Sequence, residues 1–311
     1  MTRSVLAQET VFALRETIAR MEGKALPALA AAEAEHVADG NGESPSRLPM
    51  AVTALDEALE GGLPLDAITE IRSLGFRHAG AASGFALSLT ARLQHAGPET
   101  GPVLWISDRM ARGEAGLPYA PGLKAFGLDS ARFYHALPQR LEDALWLAEA
   151  ALSSGIFAAT LLEVHGNPAP FGLTESRRLS LRAKAAGRPL LLIRHAGEEE
   201  ASSALFRFLA EPAPALERRL PDGSMLGGSI GHPVFRLTLE KSRTAAPLCL
   251  DLEWNPHDRQ FFALPHGLVS RGRAVPASQP AAHSGTLLSA PFDRPGAPAS
   301  MGSVVAFERA S

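Results

Sequence analysis

The residues best suited to chemistry lie between Asp66 and Leu89, in the stretch DAITEIRSLGFRHAGAASGFALSL. A short apolar run there leads into small residues and then into a helical pattern, an order typical of a phosphate-binding loop. Such a loop holds phosphates with backbone N–H groups, reaches them with a Lys and binds Mg²⁺ through a Ser or Thr hydroxyl. With Gly84 as its last glycine, Phe85 takes the Lys position and Ala86 the hydroxyl position. The pattern therefore predicts a degenerate loop that is retained for the fold.

In this alignment neither Gly75 nor Gly80 has the required spacing, and no Lys lies in the stretch. The lysines of the chain are Lys24, Lys124, Lys184 and Lys241. An ATPase would therefore need Arg77, or a basic residue from a partner, to replace the missing Lys. We expect no cofactor, and ATP with Mg²⁺ stays the alternative for this loop.

Other catalytic or metal-binding patterns do not occur in the sequence. No Cys or His pair has zinc-site spacing, and no G-x-S-x-G elbow supplies a hydrolase nucleophile. The single cysteine, Cys249, excludes a disulfide framework and fits a reducing compartment. The net charge of −3 gives no support for nucleic-acid binding by bulk charge. Without a signal peptide or an apolar run of about 18 residues, we expect a cytoplasmic protein with no membrane span.

Composition divides the chain into four parts. Residues 1–24 are predicted to form an amphipathic helix, because Val11, Leu14, Ile18 and Met21 have helical spacing. Residues 25–47 are small, polar and aperiodic, which is typical of a linker. Residues 48–266 form the predicted core domain, and residues 267–311 are rich in Ala, Ser, Pro and Gly and are predicted to be disordered.

Strand and helix patterns alternate through the first part of the core. The predicted strands are 67–71, 103–107, 133–137, 158–164 and 190–194, and the helices between them are 84–95, 141–152 and 175–186. This alternation predicts an α/β fold with a mostly parallel sheet flanked by helices. Strand patterns alone follow at 205–210, 235–241 and 248–254, which predicts antiparallel strands at one edge. All three tryptophans, Trp105, Trp146 and Trp254, lie in apolar patterns and are predicted to be in the core.

Two segments resemble the RecA core. The Gly-Gly-Leu-Pro turn and first strand of that fold resemble residues 50–71, MAVTALDEALEGGLPLDAITEI. A later RecA segment with a Lys pair resembles residues 237–254, LTLEKSRTAAPLCLDLEW. With a lysine-free loop and an acidic residue that ends a central strand, the chain is similar to the ImuA family. Members of that family are RecA-related proteins encoded with an error-prone polymerase and the polymerase-like protein ImuB.

The resemblance implies a role for several positions. Arg109, beside Asp108, falls where RecA has the glutamate that activates water, and Glu163 falls at the Asp of the metal-associated strand. His195 lies near the residue that senses the γ-phosphate. Lys241 and Arg243 match the Lys pair that reaches a neighbour's nucleotide, although a salt bridge is the alternative for them.

The two DNA-binding loops of RecA correspond to HGNPAPFGLTESRR and HAGEEEASS. The second carries Glu198, Glu199 and Glu200, which repel a phosphate backbone. The first leads into a helix with a basic face that is either solvated or a DNA contact. The candidate DNA-contacting residues are Arg177, Arg178, Arg182 and Lys184.

The resemblance implies a non-catalytic RecA-like adaptor in DNA-damage-induced mutagenesis and translesion synthesis. Its expected partners are an ImuB-type protein, RecA and an error-prone C-family polymerase, and whether it contacts DNA directly stays open. The N-terminal helix and the Lys241–Arg243 pair are the expected interface, which would also allow homo-oligomers. The alternatives are a DNA-stimulated ATPase with an atypical loop, which nucleotide-dependent stabilisation would reveal, and a cell-division inhibitor, which normal septation on overexpression would exclude.

Overall fold

A computed structural model describes residues 47–97, 100–216, 220, 222, 224, 230–243 and 248–265. The predicted N-terminal helix, nearly all of the predicted linker and the predicted tail lie outside these residues. Arg47, the last residue of the predicted linker, belongs to a short strand.

The described residues form a nine-stranded mixed sheet with the order β11-β10-β9-β8-β3-β7-β6-β4-β5. Its strands are β3 (Ile68–Ser73), β4 (Val103–Ser107), β5 (Phe133–Ala136), β6 (Ala159–His165), β7 (Leu190–His195), β8 (Phe206–Ala213), β9 (Val234–Lys241), β10 (Cys249–Asn255) and β11 (Gln260–Leu264). The first six pair in parallel, and β9, β10 and β11 add antiparallel neighbours. A separate antiparallel pair joins β1 (Arg47–Leu48) to β2 (Leu63–Pro64).

Helices cover both faces of the sheet. The α-helices are α1 (Thr53–Ala58), α2 (Ala79–Gln94), α3 (Arg109–Ala115), α4 (Ala120–Ala125), α5 (Leu141–Ser154) and α6 (Leu173–Ala186). One apolar cluster joins α2 to the inner face of the sheet, and a second joins α5 and α6 to the opposite face. The parallel strands are therefore buried on both sides, which explains why they are nearly continuous apolar runs in the sequence.

The predicted fold class is confirmed as α/β with a mostly parallel sheet and an antiparallel edge. The predicted strands and helices match the observed ones except in two places. Helix α2 begins at Ala79, five residues before the predicted start, and β8 is parallel to β3, so the antiparallel edge begins only at β9. No predicted strand corresponds to β11.

A crossover without a helix connects β7 to β8. Residues 196–205 leave the carboxyl end of β7 and return to the start of β8, where the Leu205 N–H donates to the Ile68 carbonyl oxygen at the beginning of β3 (2.8 Å). A crossover between parallel strands usually contains a helix. Here the chain returns in an irregular conformation, so its polar backbone groups need side-chain partners.

No helix among the described residues is both long enough and apolar enough to cross a membrane.

Candidate functional site

The carboxyl ends of β3, β4, β6 and β7 meet at one edge of the sheet, which is where open α/β sheets place their ligands. The loop between β3 and α2 lies at this edge. It consists of residues 74–78, and Phe76–His78 form one 3₁₀ turn.

Phe85 and Ala86, which the sequence places at the Lys and hydroxyl positions of this loop, do not lie at the start of the following helix. Both residues lie in the second turn of α2 and are buried in the core. The Phe85 ring packs against Phe208 at a centroid distance of 5.6 Å and also contacts two other phenylalanine rings. Gly84 has a packing role as well, because a Cβ there would approach Phe235 Cε1 to 2.9 Å.

Counted from the observed end of β3, the spacing G-x-x-x-x-G falls on Gly75 and Gly80. Gly80 lies in the first turn of α2, where a phosphate loop passes into its helix. The next two positions are Ala81 and Ala82, both buried, so the corrected alignment also lacks the Lys and the hydroxyl. A Cβ added to Gly75 or Gly80 would meet no atom within 4 Å, which means that packing does not require glycine at either position.

A buried hydrogen-bond network occupies the carboxyl edge beside this loop. His195 bonds to Ser73 Oγ through Nδ1 (3.0 Å) and to Glu163 Oε1 through Nε2 (2.9 Å). The other oxygen, Glu163 Oε2, accepts from Ser107 Oγ (2.6 Å) and from Trp105 Nε1 (3.0 Å). The network therefore brings together the predicted site residues Glu163 and His195.

The ionisation state of Glu163 decides which atoms of the network carry protons. Burial opposes ionisation of this carboxyl, but hydrogen bonds from His195, Ser107 and Trp105, with the charge of His195, hold its pKa below the usual glutamate value. A carboxylate only accepts hydrogen bonds, so His195 Nε2 carries a proton that it donates to Glu163.

His135 extends the network towards the edge strand. The Ser107 hydroxyl donates to Glu163, and its oxygen therefore accepts from His135 Nε2 (2.9 Å). Burial is the main cause that lowers the pKa of His135, so the neutral imidazole is favoured in the folded protein.

Ser73, His195 and Glu163 have the hydroxyl–imidazole–carboxylate order of a nucleophilic triad. Ser73 and His195, however, are both 0% exposed, and the ring of Phe76 lies over His195 at 5.8 Å and stacks on His165 at 5.1 Å. No substrate reaches the hydroxyl in this arrangement, so the geometry favours a structural network sealed by the loop.

The opposite face of the same strands carries a buried ionic cluster. Glu70 on β3 pairs with Arg194 Nε (3.1 Å) and Arg207 Nε (3.0 Å) and accepts from Ser202 Oγ (2.8 Å). Arg72, on the same face, pairs with Glu240 at 2.9 Å. Burial is the main cause that raises the pKa of Glu240.

This cluster fixes the 196–205 crossover in place. Arg72 donates to the Gly197 carbonyl (2.7 Å), Arg207 to the Glu200 carbonyl and Lys241 Nζ to the Ser202 carbonyl (2.6 Å). The Asn167 side chain also bonds to the backbone of Glu198 (2.8 and 3.2 Å). Residues 196–205, which contain the segment HAGEEEASS compared above with a DNA-binding loop, are therefore fastened to the body of the domain.

Lys241 and Arg243 contact different parts of the domain. Lys241 contacts the crossover, and burial is the main cause that lowers the pKa of its amine. Arg243 instead lies 3.6 Å from the carboxylate of Glu60, which also pairs with Arg47. These contacts favour the salt-bridge interpretation over a shared role at a neighbour's nucleotide.

The four basic residues proposed as DNA contacts lie on α6. Arg178 and Arg182 both pair with Glu149 on α5, at 2.8 and 3.1 Å, which offsets part of their charge. Arg177 and Lys184 are exposed on the same helix. Nearby on α5, Trp146 is 66% exposed, so its predicted place in the core is wrong, whereas Trp105 and Trp254 are buried as predicted.

Ser73, Ser107 and His135 were not singled out as site residues by the sequence reasoning. Their signal was positional, because each polar residue lies at or near the end of a predicted apolar strand, as Glu163 and His195 do. The predicted interface residues Val11, Leu14, Ile18 and Met21 lie outside the described residues. Within the described ranges, no group of three or more His, Cys, Asp or Glu side chains is arranged to hold a metal ion.

Comparison with protein-family models and with curated proteins gives no match for this chain.

Proposed function

We propose that the protein is a non-catalytic, RecA-like adaptor of an induced-mutagenesis complex, which binds an ImuB-type polymerase-like protein. RecA and an error-prone C-family polymerase are the further partners in this proposal. The identity of the partners rests on the sequence resemblance. The non-catalytic character rests on the geometry of the carboxyl edge.

The observation that carries the non-catalytic part is the loop between β3 and α2. Its glycine spacing is that of a phosphate loop, but Ala81 and Ala82 stand where the chemistry needs a Lys and a hydroxyl. A methyl group can neither neutralise a phosphate nor bind Mg²⁺. The backbone path is thus compatible with descent from a nucleotide-binding loop that lost its function.

The hydrogen-bond network gives a second line of support. Glu163 is the residue that would serve a metal in a nucleotide-binding relative, yet both of its oxygens accept hydrogen bonds from neighbouring side chains. Binding Mg²⁺ there would require the protein to break several buried hydrogen bonds, each with a desolvation penalty of about 1–3 kcal/mol.

The first experiment is a thermal melt of the full chain with Mg²⁺ alone and with Mg²⁺-ATP, with and without the ImuB-type partner. We expect ATP to cause no shift in either case. Ligand at 100 times its Kd would stabilise the protein by about 2.7 kcal/mol. A shift of that size without the partner, if it persists in Arg109→Gln, would refute the non-catalytic proposal and favour the ATPase, and a shift only with the partner would indicate a shared nucleotide site.

The second experiment tests the adaptor role by pull-down with the ImuB-type protein. Deletion of residues 1–24 should weaken capture while the melting temperature of the core stays unchanged. The matched control is Val11→Ala/Ile18→Ala in the full chain, which removes two residues of the apolar stripe without shortening the protein. Capture that is equal for all variants would refute the N-terminal interface, and absence of capture by the full chain would refute the partner.

A further inference from the structure

A cleft of about 450 Å³ opens at the carboxyl edge, beside the loop between β3 and α2, whose Phe76 stacks on the lining residue His165. The segments that follow β4, β5 and β6 form its walls. Met110, Leu141 and Pro168 supply apolar surface. Its volume lies in the range of small-ligand sites, about 300–1,000 Å³.

The cleft lies where neighbouring parallel strands send their connections to opposite faces of the sheet. After β4 the chain passes to the side of α2, because Leu123 of α4 belongs to the apolar cluster of that face. After β6 it passes to α6, whose Leu179 belongs to the cluster of the other face. Divergent connections leave a crevice between adjacent strands, and open α/β sheets bind ligands in such crevices.

The side-chain acceptors in the walls each accept at least one hydrogen bond from the protein. Asp108 accepts from the backbone N–H of Ala111 (2.6 Å) and of His165 (2.9 Å), one on each carboxylate oxygen. Gln139 Oε1 accepts from Arg112 (3.1 Å). The side chain of Asn167 is bound to the crossover.

Donor groups, in contrast, remain available. Arg109 is exposed and makes no hydrogen bond or ion pair with any of the described residues. Within the same part of the chain, the ring nitrogens of His165 have no hydrogen-bond partner, and one face of the ring is supported by Phe76. The amide nitrogen of Gln139 adds a third donor. A cleft with free donors and with side-chain acceptors that already accept hydrogen bonds selects an acceptor-rich ligand.

We propose that this cleft binds a small organic anion through a phosphate or carboxylate group held by Arg109, His165 and Gln139. The apolar part of the ligand packs on Met110 and Leu141. Phe76 of the loop between β3 and α2 borders this site through its contact with His165, and the site does not depend on the proposed adaptor function.

Calorimetric titration of the full chain at constant ionic strength tests the site, with inorganic phosphate, succinate and AMP as the probes. We expect at least one probe to bind saturably. Loss of one charge-assisted hydrogen bond weakens binding by about tenfold or more, so Arg109→Gln and His165→Gln should each raise Kd by at least that factor. Phosphate or AMP binding would indicate a phosphate ligand, and succinate binding a carboxylate.

Arg177→Gln is the matched control, because it removes the same charge from an exposed position on α6. Its Kd should stay within about twofold of the wild-type value. Arg109 is exposed, so its variant should keep the wild-type melting temperature even if His165→Gln does not. The proposal is overturned if none of the three probes binds saturably, or if Arg109→Gln binds them no more weakly than Arg177→Gln does.

Discussion

We predict that Glu163 stabilises the fold, because its carboxylate accepts hydrogen bonds from buried neighbours that would otherwise lose their partner. In Glu163→Ala, Trp105 Nε1 and His195 Nε2 both lose their partner, whereas Ser107 can still bond to His135. A buried polar group without a partner costs about 1–3 kcal/mol. We therefore expect Glu163→Ala to lower the free energy of unfolding by about 2–6 kcal/mol.

Glu163→Gln should be milder. Its amide oxygen can still accept from Trp105 and Ser107, and its NH₂ can donate to His195 if the imidazole changes tautomer. The substitution removes the charge of the acceptor. A hydrogen bond to a charged group contributes about 1.5–3 kcal/mol, and one between neutral groups about 0.5–1.5 kcal/mol. The penalty for a buried charge disappears at the same time, so we expect a loss of no more than about 2 kcal/mol.

Urea unfolding at pH 7 measures both variants, with Glu142→Gln as the control. The Glu142 side chain is 57% exposed, and its substitution should change stability by less than about 0.5 kcal/mol. Because folding lowers the pKa of Glu163, its stabilisation is complete above the usual pKa of about 4.3. The difference between wild type and Glu163→Gln should therefore shrink below about pH 4. A loss below about 1 kcal/mol in Glu163→Ala would refute the reasoning.

Three further predictions use the same unfolding assay. In α2, Gly80→Ala should stabilise the protein by up to about 1 kcal/mol. Gly84→Ala should stabilise it less or destabilise it, because the new Cβ meets Phe235. Equal effects of the two substitutions would contradict the assigned packing. Folding lowers the pKa of His135, so stability should fall as the pH drops below about 6.5, and His135→Gln should flatten that slope; an unchanged slope would show that other groups cause it. Glu70→Ala leaves buried Arg194 and Arg207 without their ion-pair partner and should lower the free energy of unfolding by about 3–5 kcal/mol. Arg243→Met, the control, should lower it by less than about 1 kcal/mol. Similar losses would mean that the buried cluster is not tightly coupled.

The elements of the central sheet were predictable because their signals are local. Strands β4, β6 and β7 are apolar runs in the sequence, and α5 and α6 show apolar residues at helical spacing. Strand β8 has the same kind of pattern, but its direction depends on how residues 196–205 cross the sheet. That path is set by Arg72, Arg207 and Lys241, which contact the crossover from separate strands.

The start of α2 shows why the loop was misaligned. Residues 79–83, AGAAS, carry no large apolar side chain, so periodicity first becomes visible at Phe85 and moves the predicted helix start to Gly84. In the folded protein the helix begins at Ala79, so the two glycines with phosphate-loop spacing before and at its start are Gly75 and Gly80. Both alignments lack the Lys because the stretch contains none, and both place an Ala where the hydroxyl is needed, Ala86 in the first and Ala82 in the second.

By itself, the sequence determined the α/β class, the order of the elements along the chain and the lack of a Lys in the stretch from Asp66 to Leu89. Each follows from residue type and short-range period, which the chain carries locally. The tertiary structure alone decided that Ser73, Glu163 and His195 form one network, and that Arg109 and His165 face one cleft. Strand order brings these residues together across long separations in the sequence, and no local pattern encodes that order.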